Sequence, residues 1–273
     1  MRKKIIILFC FFIQGIYGQN YAPDIQQILN RGVLSVGMID EQLPPFHLKD
    51  KEGNWVGIDI DISRELASSL GVKLEIRFTK TFKEVIDLVF SHQVDVGISN
   101  LSRTLKRSQK VLFSDPYALL HKALLVNRRK EELIGVEKEG SVIERLNHSY
   151  IKIAYTRNSA DAETFADLIF PGAQKIEYEN QSDLMASVEK GEVAAGLVEE
   201  MTMKLYSKTH PEKIIDVQPL LIRDVEDPVC IALPWDSRQL LFYVSIYLKN
   251  KKVPLDVDKY LQKYEEVLLK SNK

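Results

Sequence analysis

The chain has 273 residues, more than one modest core usually needs, and fits two lobes of roughly 100 to 150 residues each. Its composition, 45% hydrophobic and 27% charged, is that of a soluble globular protein and excludes both a disordered chain and a membrane bundle. Lys plus Arg number 37 against 38 Asp plus Glu, spread along the chain instead of gathered into a stripe, which argues against nucleic acid as a partner.

The first residues read differently from the rest. Arg2, Lys3 and Lys4 precede an apolar run from Ile5 to Ile13, and Gly15 and Gly18 give a small-residue exit, the pattern of a secretory signal peptide. The run is about half of what a bilayer-spanning helix requires, which argues against an anchor. Cleavage after Gly18 is expected, making residues 1–18 a leader and the location periplasmic or otherwise extracytoplasmic. Cys10 follows bulky Phe9 and is a poor lipoprotein acceptor, so no lipid anchor is expected. With Cys10 removed, Cys230 is the single thiol, no internal disulfide can form, and stability must come from packing.

After the leader, VLSVGMI reads as a strand, followed by an amphipathic helix with Ile62, Leu66 and Leu70 on one face, stopped by Gly71. LEIRF is a second strand, FKEVIDLVF a helix with Phe82, Val85, Ile86 and Val89 on one face, and VDVGI a third strand. This β-α-β-α-β order predicts a mostly parallel sheet covered by helices on both faces. The pattern restarts after a polar stretch between Arg128 and Tyr150: IKIAY, a helix through Phe165 and Ile169, KIEYE, a helix through Leu184 and Val188, then VAAGLV. ALLVN near 123–127 and VCIAL near 229–233 read as strands linking the halves. Helices follow from Ser237, with Leu240, Leu241, Val244 and Leu248 on one face, and again after Pro254. Lobe one is thus expected over 19–124 plus 230–273 and lobe two over 125–229.

In open α/β sheets ligands sit beyond the carboxyl ends of the strands, which directs attention to Asp40–Phe46, Ser99–Arg107 and Arg157–Asp161. The segment GISNLSRTLKRSQKVLFSDPY, Gly97 to Tyr117, is the most informative. Its Ser102, Thr104, Arg107, Phe113, Ser114, Pro116 and Tyr117, with LPPF at 43–46, GIDIDISRELASSLGV at 57–72, VDVGI at 94–98 and GEVAAGLVEE at 191–200, resemble the bacterial extracellular solute-binding proteins of family 3, the amino-acid-binding components of ABC transporters. The resemblance runs through nearly the whole chain after the leader and is stronger in the first half. It implies an α/β fold of two Rossmann-like lobes joined by two crossing strands, the type II periplasmic-binding-protein architecture. The implied function is binding of a small amino-acid-like ligand, zwitterion or carboxylate, by a monomer that delivers it to membrane permease subunits, with no metal or cofactor and no catalysis.

The resemblance also assigns residues. Arg107 would grip the ligand's carboxylate, a task suited to a planar guanidinium that offers two parallel charge-assisted hydrogen bonds. By its residues alone, without the surrounding motif, Arg107 reads as one more solvated charge in TLKRSQK. Ser102 would add a hydroxyl, Ser99 and Asn100 would line the pocket, and Thr104 would cap the short helix that carries Arg107. Glu199 would receive the ligand's ammonium where the family has an aspartate, and neighbouring Glu200 would be a solvated helix-start acid. Asn158 falls where the family has glycine and tolerates positive φ. Ser159 keeps a hydroxyl beside it, and Arg157 is either a cleft residue for an acidic tail or a surface charge. The family's stacking aromatic is replaced by Leu43, Phe82 is either a lid residue or core packing, and Asp40 would favour a basic or polar tail.

Two other readings stay open. Exported dehydratases of cyclohexadienyl compounds use the same fold, and Glu199, Glu200 or Asp40 would then serve as a general acid. A ligand-sensing module would bind in the same way without feeding a permease. The five histidines, at 47, 92, 121, 148 and 210, are scattered and show no zinc spacing.

Overall fold

The computed structural model describes residues 21–130 and 140–264; the expected leader, Cys10 and the residues after 264 lie outside them. Lobe one opens with α1 (Pro23–Arg31), which Gly32 ends at φ 68, followed by β1 (Val33–Ile39). A small hairpin, β2 (Leu48–Lys49) and β3 (Trp55–Val56), leads into α2 (Ile58–Ser69). Gly57, before α2, has φ 126, and a Cβ there would lie 2.3 Å from the Phe46 carbonyl oxygen. Only glycine lets the 43–46 loop ride over the start of α2.

Next come β4 (Lys73–Thr79), α3 (Phe82–Phe90), whose N-cap Thr81 accepts from the Glu84 N–H at 3.2 Å, and β5 (Val96–Gly97). α4 (Leu105–Ser108) and β6 (Val111–Phe113) precede β7 (Ala118–Asn127), which carries the chain into lobe two. There α5 (Val142–Leu146) starts from a Ser141–Glu144 capping box, and β8 (Lys152–Thr156) runs into a π-helical turn over Asp161–Phe165 that continues as α6 (Ala166–Ile169). Then follow β9 (Gln174–Tyr178), α7 (Gln181–Glu189), β10 (Ala195–Glu199), α8 (Glu200–Thr209) and a 3-10 turn over Pro211–Ile215. β11 (Val217–Val229) returns the chain, and β12 (Ala232–Pro234), α9 (Arg238–Asn250) and α10 (Val257–Lys263) finish lobe one.

The lobe-one sheet has the order β4-β1-β5-β12-β6, and the lobe-two sheet β11-β7-β10-β8-β9. β1 pairs in parallel with β4 and β5, and β8 with β9 and β10, while β12, β7 and β11 run antiparallel to their neighbours. The fold is therefore the mixed α/β, two-lobed architecture expected from the alternation of strands and helices. Each lobe has its own core. Val36, Ile58, Leu66, Leu240, Val244 and Leu248 belong to one, and Leu124, Ile153, Phe170 and Leu197 to another. Burying each of these apolar side chains stabilises by about 1.5–3 kcal/mol.

The return crossing differs from the sequence reading. VCIAL is not one strand, because β11 ends at Val229 and β12 begins at Ala232. β11 itself, 13 residues long, went unread: Pro219, Pro228 and a run of charges break any alternation, and Arg223–Val225 bulge out of the pairing with β7. The two crossings are tied together where Tyr117 N–H donates to Val229 O (2.9 Å) and Ser114 N–H to Ile231 O (3.0 Å).

Candidate functional site

The Gly97–Tyr117 stretch leaves β5 and enters the cleft between the lobes. Asn100 sits at φ 47, held by its N–H donating to Asp59 Oδ2 at 2.9 Å. Asp59, fully buried on α2, also accepts from Tyr117 Oη at 2.6 Å and pairs with His47 Nδ1 at 2.9 Å. Burial and the neighbouring Asp59 carboxylate push the Tyr117 phenol well above its ordinary value, so it stays a donor. This buried network fixes a loop that no regular element holds. Ser99 is buried and its hydroxyl accepts from Ile39 N–H at 3.0 Å, so it serves the end of β1 and keeps the strand and loop in register.

Thr104 caps α4, its hydroxyl accepting from Arg107 N–H at 3.2 Å. Arg107 is buried at the lobe interface, where it donates from Nη1 to Ser102 O at 3.2 Å and stands 5.7 Å from the centre of the Phe82 ring. Phe82 packs against the core cluster on the α3 face, the second of its two expected roles, and its ring faces the guanidinium. Arg103, by contrast, is exposed.

The centre of the cleft is a charge cluster that sequence reading missed. Lys122 on β7 is completely buried, its Nζ 2.8 Å from Asp161 Oδ1 and 2.7 Å from Asp227 Oδ2, with the Phe165 ring centre 4.3 Å away. Ser102 Oγ donates to the same Asp227 Oδ2 at 3.0 Å, so lobe one, lobe two and both crossing strands meet there. Burial alone would lower the lysine's proton affinity, but Asp161 and Asp227 outweigh it and hold the ammonium charged. Asp161, whose charged form burial disfavours, has its carboxyl raised despite Lys122 beside it.

Glu199 ends β10 directly opposite Lys122 in the pairing with β7. Its Oε2 accepts from Asn100 Nδ2 of the other lobe at 2.7 Å. Burial pushes its carboxyl up to about 7, Asp227 and Asp161 add to the rise, and Lys122 and Asn100 oppose it. Glu200 is not the solvated acid expected. Its Oε2 accepts from His121 N–H at 3.1 Å and its Oε1 lies 2.8 Å from Lys204 Nζ, pairings that lower its pKa against the cost of burial.

On lobe two, Asn158 stands at φ 57, so asparagine does adopt the left-handed turn. Ser159 Oγ donates to Thr156 O at 2.6 Å and accepts from Ala162 N–H at 3.3 Å, which ties the end of β8 to the first residues of the π-helical turn that carries Asp161. Arg157 points along the sheet edge: its Nε lies 3.0 Å from Glu177 Oε2 and Nη1 pairs with Glu179. Asp40 is exposed and lines a surface concavity with Arg77, Phe78 and Lys80. The structure thus brings Arg107, Ser102, Asn100 and Glu199 to the cleft, sets Phe82 against Arg107, puts Ser99 beneath the loop and keeps the Ser159 hydroxyl within its own turn.

Two cavities open from the interface. One, about 310 Å³, is lined by Leu43, Pro44, Phe46, Asn100, Met185 and Glu199 among others. The other, about 420 Å³, has Arg107, Asn158 and Arg157 in its wall. Both lie in the range of small-ligand sites.

The model of the bacterial extracellular solute-binding proteins, family 3, matches residues 34–270, and the chain belongs to this family. It is 24% identical to the cyclohexadienyl dehydratase of Pseudomonas aeruginosa over 188 residues, covering 69% of this chain and 67% of that protein. Several further curated relatives, amino-acid-binding proteins among them, are matched over 23% to 66% of their lengths. Among solved structures, the ancestral amino acid-binding protein described as a precursor of cyclohexadienyl dehydratase superposes with TM-score 0.70 at 29% identity, covering 90% of this chain and all of that one. The arginine-bound substrate-binding protein AbpA of Streptococcus pneumoniae gives TM-score 0.72 at 24% identity, over 89% and 99% of the two chains, a likeness of fold alone.

Proposed function

With membership of that family as the premise, we propose that this chain is an exported binding protein that closes two lobes around a small amino-acid-like carboxylate and hands it to an ABC transporter. The observation that carries this reading is the buried Arg107 guanidinium at the lobe interface, with Asn100 of lobe one and Glu199 of lobe two hydrogen-bonded across the same cleft. A guanidinium at a closing interface gives a ligand carboxylate a bidentate partner that only the closed form completes, so ligand binding and closure favour each other. Family membership and the amino-acid-binding relatives support the ligand class, and the leader-like start supports export. No described helix is long and apolar enough to cross a membrane.

A second reading is favoured by Glu199. A carboxyl with a pKa of about 7 holds its proton on about half of the molecules at neutral pH. Such a group can protonate a departing hydroxide, the demand of a dehydration, and a dehydratase is among the relatives. A thermal-shift screen of the purified protein against amino acids, small organic acids, prephenate and arogenate, with product analysis of each hit, separates the two. A stabilising ligand recovered unchanged supports binding, whereas water lost from prephenate or arogenate replaces it with catalysis.

A further inference from the structure

The two cavities of the cleft differ in charge. The one behind Glu199 is lined by neutral and apolar groups, with Glu199 its acid and His210 at its edge. The one beside Arg107 is basic among the described residues: Lys83, Lys106, Lys110 and Arg157 join Arg107 in its wall, against Asp87 and Glu177. Asp87 is shared, lying 2.7 Å from Lys83 Nζ and 2.9 Å from Lys110 Nζ. Lys106, next to Arg107 on α4, is exposed and has no carboxylate partner among the described residues. A recess between two low-dielectric lobes focuses such a field and raises the local concentration of anions.

Resting on the binding reading above, we propose that the ligand is a small diacid: one carboxylate is held by Arg107, and a second acidic group turns into the cavity lined by Lys106, Lys110 and Lys83. A cationic tail such as that of the arginine named for the pneumococcal structure would meet like charges here. Asp40, expected from sequence to favour a basic or polar tail, lines a different concavity. Lys110 and Lys83 already hold Asp87, which fixes their ammonium groups at the wall before a ligand arrives.

The test is calorimetric titration of the purified protein with L-glutamate, 2-oxoglutarate, L-glutamine and L-arginine at low ionic strength, where surface charge is least screened. The diacids are expected to bind at least about tenfold more tightly than L-glutamine, with L-arginine weakest. Lys106→Glu and the milder Lys106→Gln lower the glutamate-to-glutamine affinity ratio, the first by about tenfold or more. Lys249→Glu, at the far end of α9, leaves the ratio as in the wild type, and melting curves establish that each variant is folded. Arginine or glutamine binding as tightly as glutamate, or a ratio indifferent to Lys106, overturns the diacid assignment and leaves the binding reading standing. No heat and no thermal shift with any of the four overturns the diacid assignment, and the binding reading falls only if the wider screen of amino acids and organic acids is blank as well.

Discussion

Replacing Lys122 with methionine removes an ammonium that Asp161 and Asp227 share at 2.8 and 2.7 Å in the buried centre of the cleft. Methionine keeps most of the side-chain volume, so the loss is one of charge. Leaving a buried ionic partner uncompensated costs about 3–5 kcal/mol. At about 2–4 °C per kcal/mol for a chain of this size, the melting temperature should fall by about 6–20 °C near neutral pH. The loss should depend on pH with a definite sign. Burial already holds the Asp161 carboxyl above its ordinary value, and taking away the lysine that opposes this raises it further. A carboxyl whose folded value exceeds its unfolded value binds more protons in the native state, so the variant gains stability as pH falls through the folded value toward the unfolded one. The gap between wild type and Lys122→Met should therefore narrow from about pH 8 to about pH 5 in calorimetric melts. A fall of less than about 3 °C, or one that is the same at every pH, would refute the idea that this lysine neutralises the two aspartates.

Arg107→Ala should weaken binding of a carboxylate ligand by about a hundredfold or more, and Arg103→Ala by less than about threefold, since the first guanidinium is buried at the interface and the second is exposed; titration calorimetry on both variants checks it, and equal effects would sink the assignment. Glu199 has a folded pKa of about 7, above its ordinary value, so the wild type should lose stability as pH rises from about 5 to about 8. Glu199→Gln should remove much of that slope, and melts of the two proteins that stay parallel across this range would show the carboxyl to be an ordinary acid. Gly57→Ala places a Cβ 2.3 Å from Phe46 O at φ 126 and should destabilise by about 3 kcal/mol or more in urea unfolding. It should also disturb the 43–46 loop that lines the smaller cavity, so that binding weakens in step; a variant of wild-type stability would mean the loop shifts freely.

The sequence carried the repeating strands and helices because each element is amphipathic on its own: α3 buries Val85, Ile86 and Val89, and α9 buries Leu240, Val244 and Leu248, as spacing required. β11 was not legible, since its pairing comes from β7 across the chain and its residues, with two prolines and several charges, carry no period of their own. The same reason hid half of the site. Arg107, Ser102 and Glu199 sit in motifs, whereas Lys122, Asp161 and Asp227 lie 39 and 66 residues apart from lysine to first and first to second aspartate, and only the fold brings them together. A signal was present in KALLVN, where a lysine opens an otherwise apolar strand run, an arrangement that demands a buried counter-charge. Glu200 was misjudged because a helix-start acid is ordinarily exposed: Lys204 is a local i,i+4 partner, but nothing local announces that His121 of β7 closes over it.

The ion cluster rests on the strands that cross between the lobes: Lys122 lies five residues past Tyr117 on β7, and Asp227 two residues before Val229 on β11. Any opening of the lobes must pivot close to those crossings. A substitution at Lys122 or Asp227 that changed the preferred ligand would therefore change the opening equilibrium as well, so selectivity and motion would be inherited together from these positions. Lys106 and Lys110, on the rim and away from the crossings, are under no such coupling. On the binding reading and the diacid assignment proposed above, divergence toward new ligands has a free path at the rim and a constrained one at the centre.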